Sequence, residues 1–260
     1  MNDSLYIAAT GMHMQQKGVD TIANNLANVN TPGFKRGRVT FEDLVYRDLS
    51  GAPASLDSGS APRLLQGSGV GLASIFKSFA AGELQKTDGP LDLAIQGDGF
   101  LEVVGADGAP AFTRGGGMMV DKDGFLASAG GLPLKPAIHI GLDAKQITIK
   151  PDGHVLVRTT DQGDALDVGR IDLVHFTDSS GLAALGANLY KTSDRSGDAI
   201  VGHPGEDGVG TLAQGFVEAS NVNLVEEMVN LMVAQRAYES SVKVIQASDE
   251  MLAMSNNLRK

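Results

Sequence analysis

Apolar residues recur at seven-residue spacing at both ends of the chain, a pattern typical of helices that pack along a narrow seam. Near the N-terminus, one row repeats every seven residues, and a second row, broken by Gln15, begins three positions later. The two rows are Leu5, Met12, Val19 and Leu26, and Ala8, Gln15, Ile22 and Val29. Because Pro32 and Gly33 cannot easily continue a helix, the pattern predicts an N-terminal helix that ends at this pair.

The C-terminal region predicts a longer helix. Asn223 and Glu226 have the spacing of a capping box, and no proline follows before Lys260. About 35 helical residues would span roughly 50 Å. The main seven-residue row is Leu231, Tyr238, Ile245 and Leu252, and its companion row is Met228, Gln235 and Val242. The next two positions of the companion row are the polar residues Asp249 and Asn256. We therefore expect a narrower apolar seam near the end of the helix.

The interior of the chain has a different pattern. Short β-rich runs, such as "FLEVV", "QITI" and "HVLVR", alternate with turn signals, which predicts a compact all-β domain over residues 75–214. Asp-Gly pairs favour type I′ hairpin turns, in which both central residues have positive φ. Six such pairs occur: Asp88-Gly89, Asp98-Gly99, Asp107-Gly108, Asp123-Gly124, Asp152-Gly153 and Asp207-Gly208.

These patterns predict an α+β protein. A seam-bearing helix cannot bury its apolar stripe alone, so we expect the two ends to meet as a discontinuous helical coiled-coil domain, residues 1–45 and 215–260. The all-β domain is then an insertion. Residues 46–74 form an extended linker, within which Ser50–Pro62 is small, polar and proline-punctuated. The C-terminal helix carries further apolar residues, including Val225, Val229, Met232 and Val233, which indicate an interaction surface between copies.

Composition narrows the function classes. The formal net charge of -10 argues against a nucleic-acid partner. The small basic cluster of Lys35, Arg36 and Arg38 is interpreted as a solvated loop. The chain has no cysteine, which excludes disulfides and thiolate chemistry. No apolar run is long enough for a membrane span, and no secretory signal is visible, so we expect a cytoplasmic protein or one exported without a cleaved signal.

Candidate chemistry is sparse. The five histidines are scattered without metal-ligand spacing, and the glycine-rich "GSGVG" and "GGG" stretches lack the context of a phosphate loop. We read these stretches as bends or close backbone approaches in sheet. The sequence therefore predicts no catalytic residue, no cofactor and no metal site, and a protein that is not an enzyme.

Two terminal stretches resemble signatures of the axial proteins of the bacterial flagellum, which include rod and hook components. They are "IANNLANVNTPGFKR" and "EASNVNLVEEMVNLMVAQRAYE". In the interior, "LDLAIQGDGFLEV" and "AFTRGG" resemble the β-domain motifs of the same family, whereas "GGGMMV" departs from its usual pattern. The N-terminal family motif contributes Asn24, Asn25, Asn28, Asn30, Pro32, Gly33 and Phe34.

The resemblance implies a structural subunit of the basal-body rod. The length, the "LGANLY" stretch and the extra segment between Tyr46 and Gly69 favour a distal rod subunit over a proximal rod or hook-like subunit. Such a protein polymerises helically into a tubular drive shaft that carries motor torque to the hook. Its partners are itself, neighbouring rod and hook subunits, the surrounding rings and the flagellar type III export apparatus. The location implied is the basal body, crossing the periplasm.

In this interpretation, the seam residues drive self-association: Leu5, Met12, Val19, Ile22, Leu26, Val29, Met228, Leu231, Tyr238, Val242, Ile245 and Leu252. The segment Ser50–Pro62 acts as an interaction extension. The asparagines of the motif form hydrogen bonds across subunits or face a wet channel; fraying of the helix before Pro32 is the alternative. A binding module or hydrolase that uses the β domain is the alternative of a different class.

Overall fold

The computed structural model describes residues 2–44, 46–48, 65–160, 164–206 and 208–257. The chain has the predicted α+β composition, with a helix at each end and strands between them. It divides into two compact units. Unit 1 comprises Met1–Ala27, Gly37–Phe76 and Asn223–Lys260, and unit 2 comprises Asn28–Arg36 and Lys77–Val222. The predicted extension Ser50–Pro62 lies outside the described residues.

Unit 1 contains both helices and the first strands of the chain. Helix α1 spans Asn2–Ala27 and helix α2 spans Leu224–Asn257. The strands are β1 (Gly37–Asp43), β2 (Tyr46–Asp48), β3 (Leu65–Gly67) and β4 (Val70–Lys77). Strand β1 pairs with β4, and β2 pairs antiparallel with β3. Part of the stretch predicted to be a linker therefore forms hairpin strands.

The helix ends test the boundary predictions. Asn223 caps α2 as predicted, because its Oδ1 accepts hydrogen bonds from the backbone N–H groups of Val225 and Glu226 at 3.0 and 3.2 Å. The predicted end of α1 at Pro32 is wrong, since the helix stops at Ala27. Beyond it, the Thr31 N–H and hydroxyl donate to the backbone and side-chain oxygens of Asn28, which closes a turn instead of continuing the helix. Val29 is consequently outside the helix.

Unit 2 is built from antiparallel strands. A four-stranded sheet has the order β10 (Leu126–Ser128), β9 (Gly115–Val120), β6 (Asp92–Gln96) and β19 (Thr211–Gln214). A five-stranded sheet has the order β11 (Leu134–Lys135), β7 (Leu101–Val104), β8 (Pro110–Thr113), β17 (Leu189–Lys191) and β16 (Ala183–Gly186).

Smaller sheets complete unit 2. The three-stranded sheet has the order β12 (Gln146–Ile149), β13 (His154–Arg158) and β14 (Leu166–Arg170). Two further pairs are β15 (Leu173–His175) with β18 (Ile200–Gly202), and β20 (Phe216–Glu218) with β5 (Leu84–Lys86). A single 3₁₀ turn spans Ser179–Gly181.

Asp-Gly pairs lie in three of the hairpin loops, but the predicted turn type is wrong. Gly108, Gly124 and Gly153 have φ values of 77°, 80° and 92°, and the aspartates before them do not have positive φ. Each glycine N–H donates to the carbonyl three residues earlier, so the glycine is the last residue of its turn. This arrangement matches a turn followed by one left-handed glycine, whereas type I′ needs two such residues.

Two side-chain clusters hold unit 2 together. The larger is aliphatic and includes Leu93, Leu101, Leu126 and Leu173, all fully buried. The second is aromatic. In this cluster, Phe100 packs edge-to-face against Phe79 and Phe176 at centroid distances of 5.2 and 5.4 Å, and Phe112 and Tyr190 complete the group. Edge-to-face geometry is a favoured arrangement of aromatic rings and adds to the energy of burial.

Replacing Leu101 with alanine tests whether the aliphatic cluster stabilises unit 2. Leu101 has no exposed surface, so truncation leaves a cavity and should lower the free energy of unfolding by about 2–5 kcal/mol. Leu142→Ala is the matched control, because Leu142 is 74% exposed and should change stability little. Denaturant unfolding of both variants checks this, and similar losses in the two would contradict it.

Candidate self-association site

The two terminal helices pair with each other in unit 1. Asn25 Nδ2 of α1 donates to Glu227 Oε2 of α2 at 3.2 Å. A Cβ atom placed on Gly11 of α1 would lie 3.8 Å from Ser241 Oγ of α2. Residues 11 to 25 and 227 to 241 each span two seven-residue repeats and run in opposite directions. The helices are therefore antiparallel and hold one register along these contacts.

Small and polar residues form the row of α2 that faces α1. The row is Glu227, Ala234, Ser241 and Ser248, of which only Ser241 is not fully buried. The two serine hydroxyls donate to backbone carbonyls four residues earlier, at 3.0 and 2.8 Å, so neither needs a partner on α1. Small side chains allow two helices to lie close together. Met228, which belongs to the predicted companion row, directly follows Glu227 of this row and is 52% exposed.

Asn25 explains part of the unusual asparagine content of α1. Its side chain is 2% exposed and forms a pair of hydrogen bonds with the backbone of Gly37, whose N–H it accepts at 2.8 Å and whose carbonyl it donates to at 2.9 Å. It also donates to the buried Glu227. The fraying and wet-channel interpretations are therefore wrong for Asn25, whereas hydrogen bonding of the motif asparagines across subunits stays a prediction. Asn25 joins α1 to α2 and β1 within one chain.

The other predicted site residues occupy three environments. Leu5, Met12, Val19, Ile22 and Leu26 are half-buried on α1, and Leu231, Val242, Ile245 and Leu252 are half-buried on α2. Val29 is half-buried in the turn that follows α1. Met228 and Tyr238 are exposed, as are Asn24, Asn30 and Pro32 of the motif, whereas Asn28 is half-buried and Gly33 and Phe34 are buried. Their role in self-association stays a prediction, because it requires neighbouring copies.

A buried charge cluster in unit 2 joins the segment after α1 to strand β20. Lys35 Nζ lies 2.7 Å from Glu218 Oε1, and Arg114 Nε lies 3.1 Å from Glu218 Oε2. All three side chains are at most 2% exposed. Lys35 also donates to the Ala80 carbonyl, and Gly82 N–H donates to Glu218 Oε1. The solvated-loop interpretation is therefore wrong for Lys35.

Burial and charge oppose each other in this cluster. Burial lowers the pKa of Lys35, although the hydrogen bond and charge of Glu218 act against this effect. Burial alone would raise the pKa of Glu218, but the Arg114 charge and the hydrogen bonds from Lys35 and Gly82 hold that pKa below its usual value of 4.5. Burial together with the Glu218 charge raises the pKa of Tyr190 to about 12. Glu218 is thus an ionised group that neutralises two buried cations only in part.

Backbone contacts hold the same two segments side by side. Gly33 N–H donates to the Glu218 carbonyl at 2.7 Å, and Arg36 N–H donates to Asn221 Oδ1 at 2.8 Å. Asn221 Nδ2 in turn donates to the carbonyls of Ser78 and Ala80. The segment that follows α1 and the segment that precedes α2 therefore leave unit 2 together, although they are far apart in sequence.

Within the described ranges, no group of three histidine, aspartate or glutamate side chains is placed to hold a metal ion. Among the same residues, neither helix is apolar enough over a sufficient length to span a membrane.

Comparisons with known proteins match both helical ends and part of the β-rich middle. Three protein-family models match: "Flagella basal body rod protein" over residues 5–35, "Flagellar hook protein FlgE/F/G D1 domain" over 94–157, and "Flagellar basal body rod FlgEFG protein C-terminal" over 213–258. The flagellar basal-body rod protein FlgG of Borreliella burgdorferi is 42% identical, with 100% of each chain covered. The chain belongs to the flagellar basal-body rod protein family.

Further relatives within the rod family refine the comparison. FlgG of Caulobacter vibrioides is 41% identical over 98% of this chain and 99% of its own, whereas FlgF of the same organism is 35% identical over 96% and 95%. The resemblance is therefore stronger to FlgG, and the chain is a structural subunit of the flagellar basal-body rod. The two terminal family matches contain Asn25, Lys35, Glu218 and Glu227, so the buried polar contacts lie within the regions that define the family.

The sequence patterns did not identify three residues of the buried polar contacts. They are Glu227, which bonds Asn25, and Glu218 and Arg114, which form the charge cluster with Lys35. Glu218 and Glu227 stand inside the quoted C-terminal signature, and Lys35 stands inside the N-terminal one. An acidic residue in one rod signature and a basic residue in the other could have suggested an ion pair. Nothing in the sequence, however, identified Arg114 as its third member.

Replacing Asn25 with alanine should destabilise unit 1. The change removes both hydrogen bonds to Gly37 and one to Glu227, and a buried backbone group left without its partner costs about 1–3 kcal/mol. The melting temperature should fall when helicity is followed by far-UV circular dichroism. Gln16→Ala is the control, because Gln16 is exposed on the same helix. Equal melting temperatures for the two variants would show that the Asn25 contacts contribute nothing.

Glu218→Gln tests the charge cluster of unit 2. A carboxylate with a lowered folded-state pKa stabilises the fold above its unfolded pKa, near 4.5, and this contribution is lost as the pH falls through the folded value. The variant should lose about 3–5 kcal/mol at pH 7, because two buried cations lose their counter-charge. It should also lose part of the wild type's acid sensitivity below pH 4.5.

Thermal unfolding between pH 3 and 7 measures both effects of Glu218→Gln. Glu83→Gln serves as the control, since Glu83 is exposed in the same unit. A Glu218 variant that is as stable as wild type at pH 7 would contradict a stabilising role for the cluster.

Proposed function

We propose that the chain is a distal rod subunit that polymerises helically into a tubular drive shaft and carries torque from the motor to the hook. The stronger resemblance to FlgG than to FlgF over nearly full length supports the distal assignment. A proximal rod subunit or a hook-like subunit is the alternative within the family. The protein would act as a mechanical component, with no catalytic role and no cofactor.

One observation carries the proposal of polymerisation: the face of α2 opposite its α1-facing row is apolar and exposed. One face packs against α1. On the other side lie Val225, Met228, Val229, Met232 and Val233, which are between 48 and 70% exposed in the single chain. At 100° per residue these side chains form one continuous stripe. A large exposed apolar stripe normally marks a contact surface, and a second copy of the chain is the partner that a rod subunit needs.

The paired ends support an assembly domain made from both termini, with the predicted limits 1–45 and 215–260. In this arrangement the helices of successive subunits form a coiled-coil wall around the export channel. The helix pair supplies one seam, and the outer stripe of α2 supplies the contact with the next subunit.

Family membership supports the remaining partners and the location. Neighbouring rod and hook subunits would contact the ends of the polymer, and the basal-body rings would surround it. The subunit would reach the basal body through the flagellar export apparatus, without a cleaved signal peptide.

Electron microscopy of the purified protein over a range of concentrations tests the proposal. A rod subunit should form tubes that lengthen with concentration. A binding module or a hydrolase based on the β domain would stay a discrete particle at every concentration, and this outcome would overturn the proposal.

Val229→Asp should abolish assembly without unfolding the subunit. Val229 is 48% exposed in the single chain, so a charge there faces water in the monomer. In a polymer the same carboxylate would be buried without a partner in every subunit, at a cost of several kcal/mol each. We expect unchanged thermal unfolding, no tubes and no swimming of cells that carry the variant.

The matched control for Val229→Asp is Gln246→Asp, which places the same charge at an exposed polar position of α2. This variant should assemble and swim. Normal tubes from Val229→Asp would show that the outer stripe is not buried in the polymer.

A further inference from the structure

An open pocket of about 600 Å³ lies in unit 1, between α1, α2 and the stretch that links β3 to β4. Most of its lining consists of small residues. They are Ala8, Gly11, Gly67, Gly69, Ser240 and Ser241. Side chains of this size leave room between the three elements, and the wall is more apolar than polar. The pocket could accommodate an apolar side chain from outside the chain.

Gly69, between β3 and β4, lies close to α1 and thereby shapes the pocket. Its φ is +115°, which an L side chain rarely adopts, and a Cβ atom at this position would lie 2.5 Å from Thr10 Oγ1. The Thr10 hydroxyl is fixed in turn, because it donates to the Ile7 carbonyl at 2.8 Å. A side chain larger than that of glycine would therefore be strained at this edge of the pocket.

The same unit carries side chains suited to fill such a pocket. Met228 and Met232 lie one turn apart on the outer stripe of α2 and are 52 and 57% exposed. Methionine is unbranched and flexible, so it fills irregular apolar gaps well. These methionines precede the pocket residues Ser240 and Val244 by twelve positions, or about 18 Å along the helix. One chain therefore presents a protrusion and a recess at different places.

A recess and a protrusion at different places on one subunit make a head-to-tail contact, which generates an open filament when it does not close into a ring. We propose that the pocket receives Met228 and Met232 of a neighbouring copy, so that this contact propagates the polymer. The inference rests on the proposed function, because only a polymerising subunit offers a second copy at high local concentration.

Cysteine cross-linking tests the contact directly. The chain has no cysteine, so introduced thiols are the only ones present. We would prepare the double variant Met228→Cys with Ser240→Cys, polymerise it and oxidise it with diamide. A head-to-tail contact should give a ladder of dimers, trimers and longer species on a non-reducing gel. Each single variant should remain monomeric on the gel.

The control pair for the cross-linking experiment is Met251→Cys with Ser240→Cys. Met251 is 53% exposed on the same helix, so it matches Met228 in exposure, but it lies about 35 Å further along the helix and is not part of the proposed contact. This pair should give no ladder. Dimers alone from the Met228 pair would indicate a symmetric contact and overturn the inference, as would a ladder from the control pair.

A second variant does not depend on thiols. Ser240→Trp places a large ring at the pocket mouth from an exposed position and should leave the thermal unfolding of the monomer unchanged while tubes are lost. Lys243→Trp, at a nearby exposed position, should assemble. If the wild type and Ser240→Trp both form normal tubes, the pocket contact is overturned and the rod function still stands. A wild type that never polymerises would overturn both.

Discussion

Close antiparallel packing of α1 against α2 is the constraint on which unit 1 depends. An isolated helix is marginally stable in water, and each of these helices gains its partner from the opposite end of the chain. The facing rows are made of glycine, alanine, serine and two buried polar residues, Asn25 and Glu227. Because these two residues satisfy each other and the backbone of Gly37, the polar contact fixes the register without leaving an unpaired amide.

Unit 2 also joins distant segments through a buried polar contact, but here the contact is between charged side chains. Lys35, Arg114 and Glu218 are removed from water, and the carboxylate is shared between the two cations and a backbone N–H. Such a cluster costs desolvation energy, so its value lies in the arrangement it enforces. It holds the strand that ends at Glu218 beside the segment that contains Lys35. Both units thus use a buried polar contact to join segments from opposite ends of the sequence.

Local patterns in the sequence predicted the elements well, whereas long-range polar pairing was not predictable. The terminal helices, the Asn223 cap and several hairpins follow from spacing and turn chemistry. The α2 row that faces α1 was not identified, because a template that counts apolar residues overlooks Glu227, Ser241 and Ser248. Lys35 was read as solvated because its partner is 183 positions away. The type I′ expectation failed because a single left-handed glycine satisfies these hairpins.

The contact between Asn25 and Glu227 spans 202 positions, and this separation has a consequence for the order of folding. The helix pair can form only when nearly the whole chain is available, since loop closure must precede the contact. A chain truncated before α2 could still form hairpins of the β domain, yet its N-terminal segment would lack the partner that stabilises it as a helix. The surface formed by the helix pair therefore exists only in a chain that contains both helices.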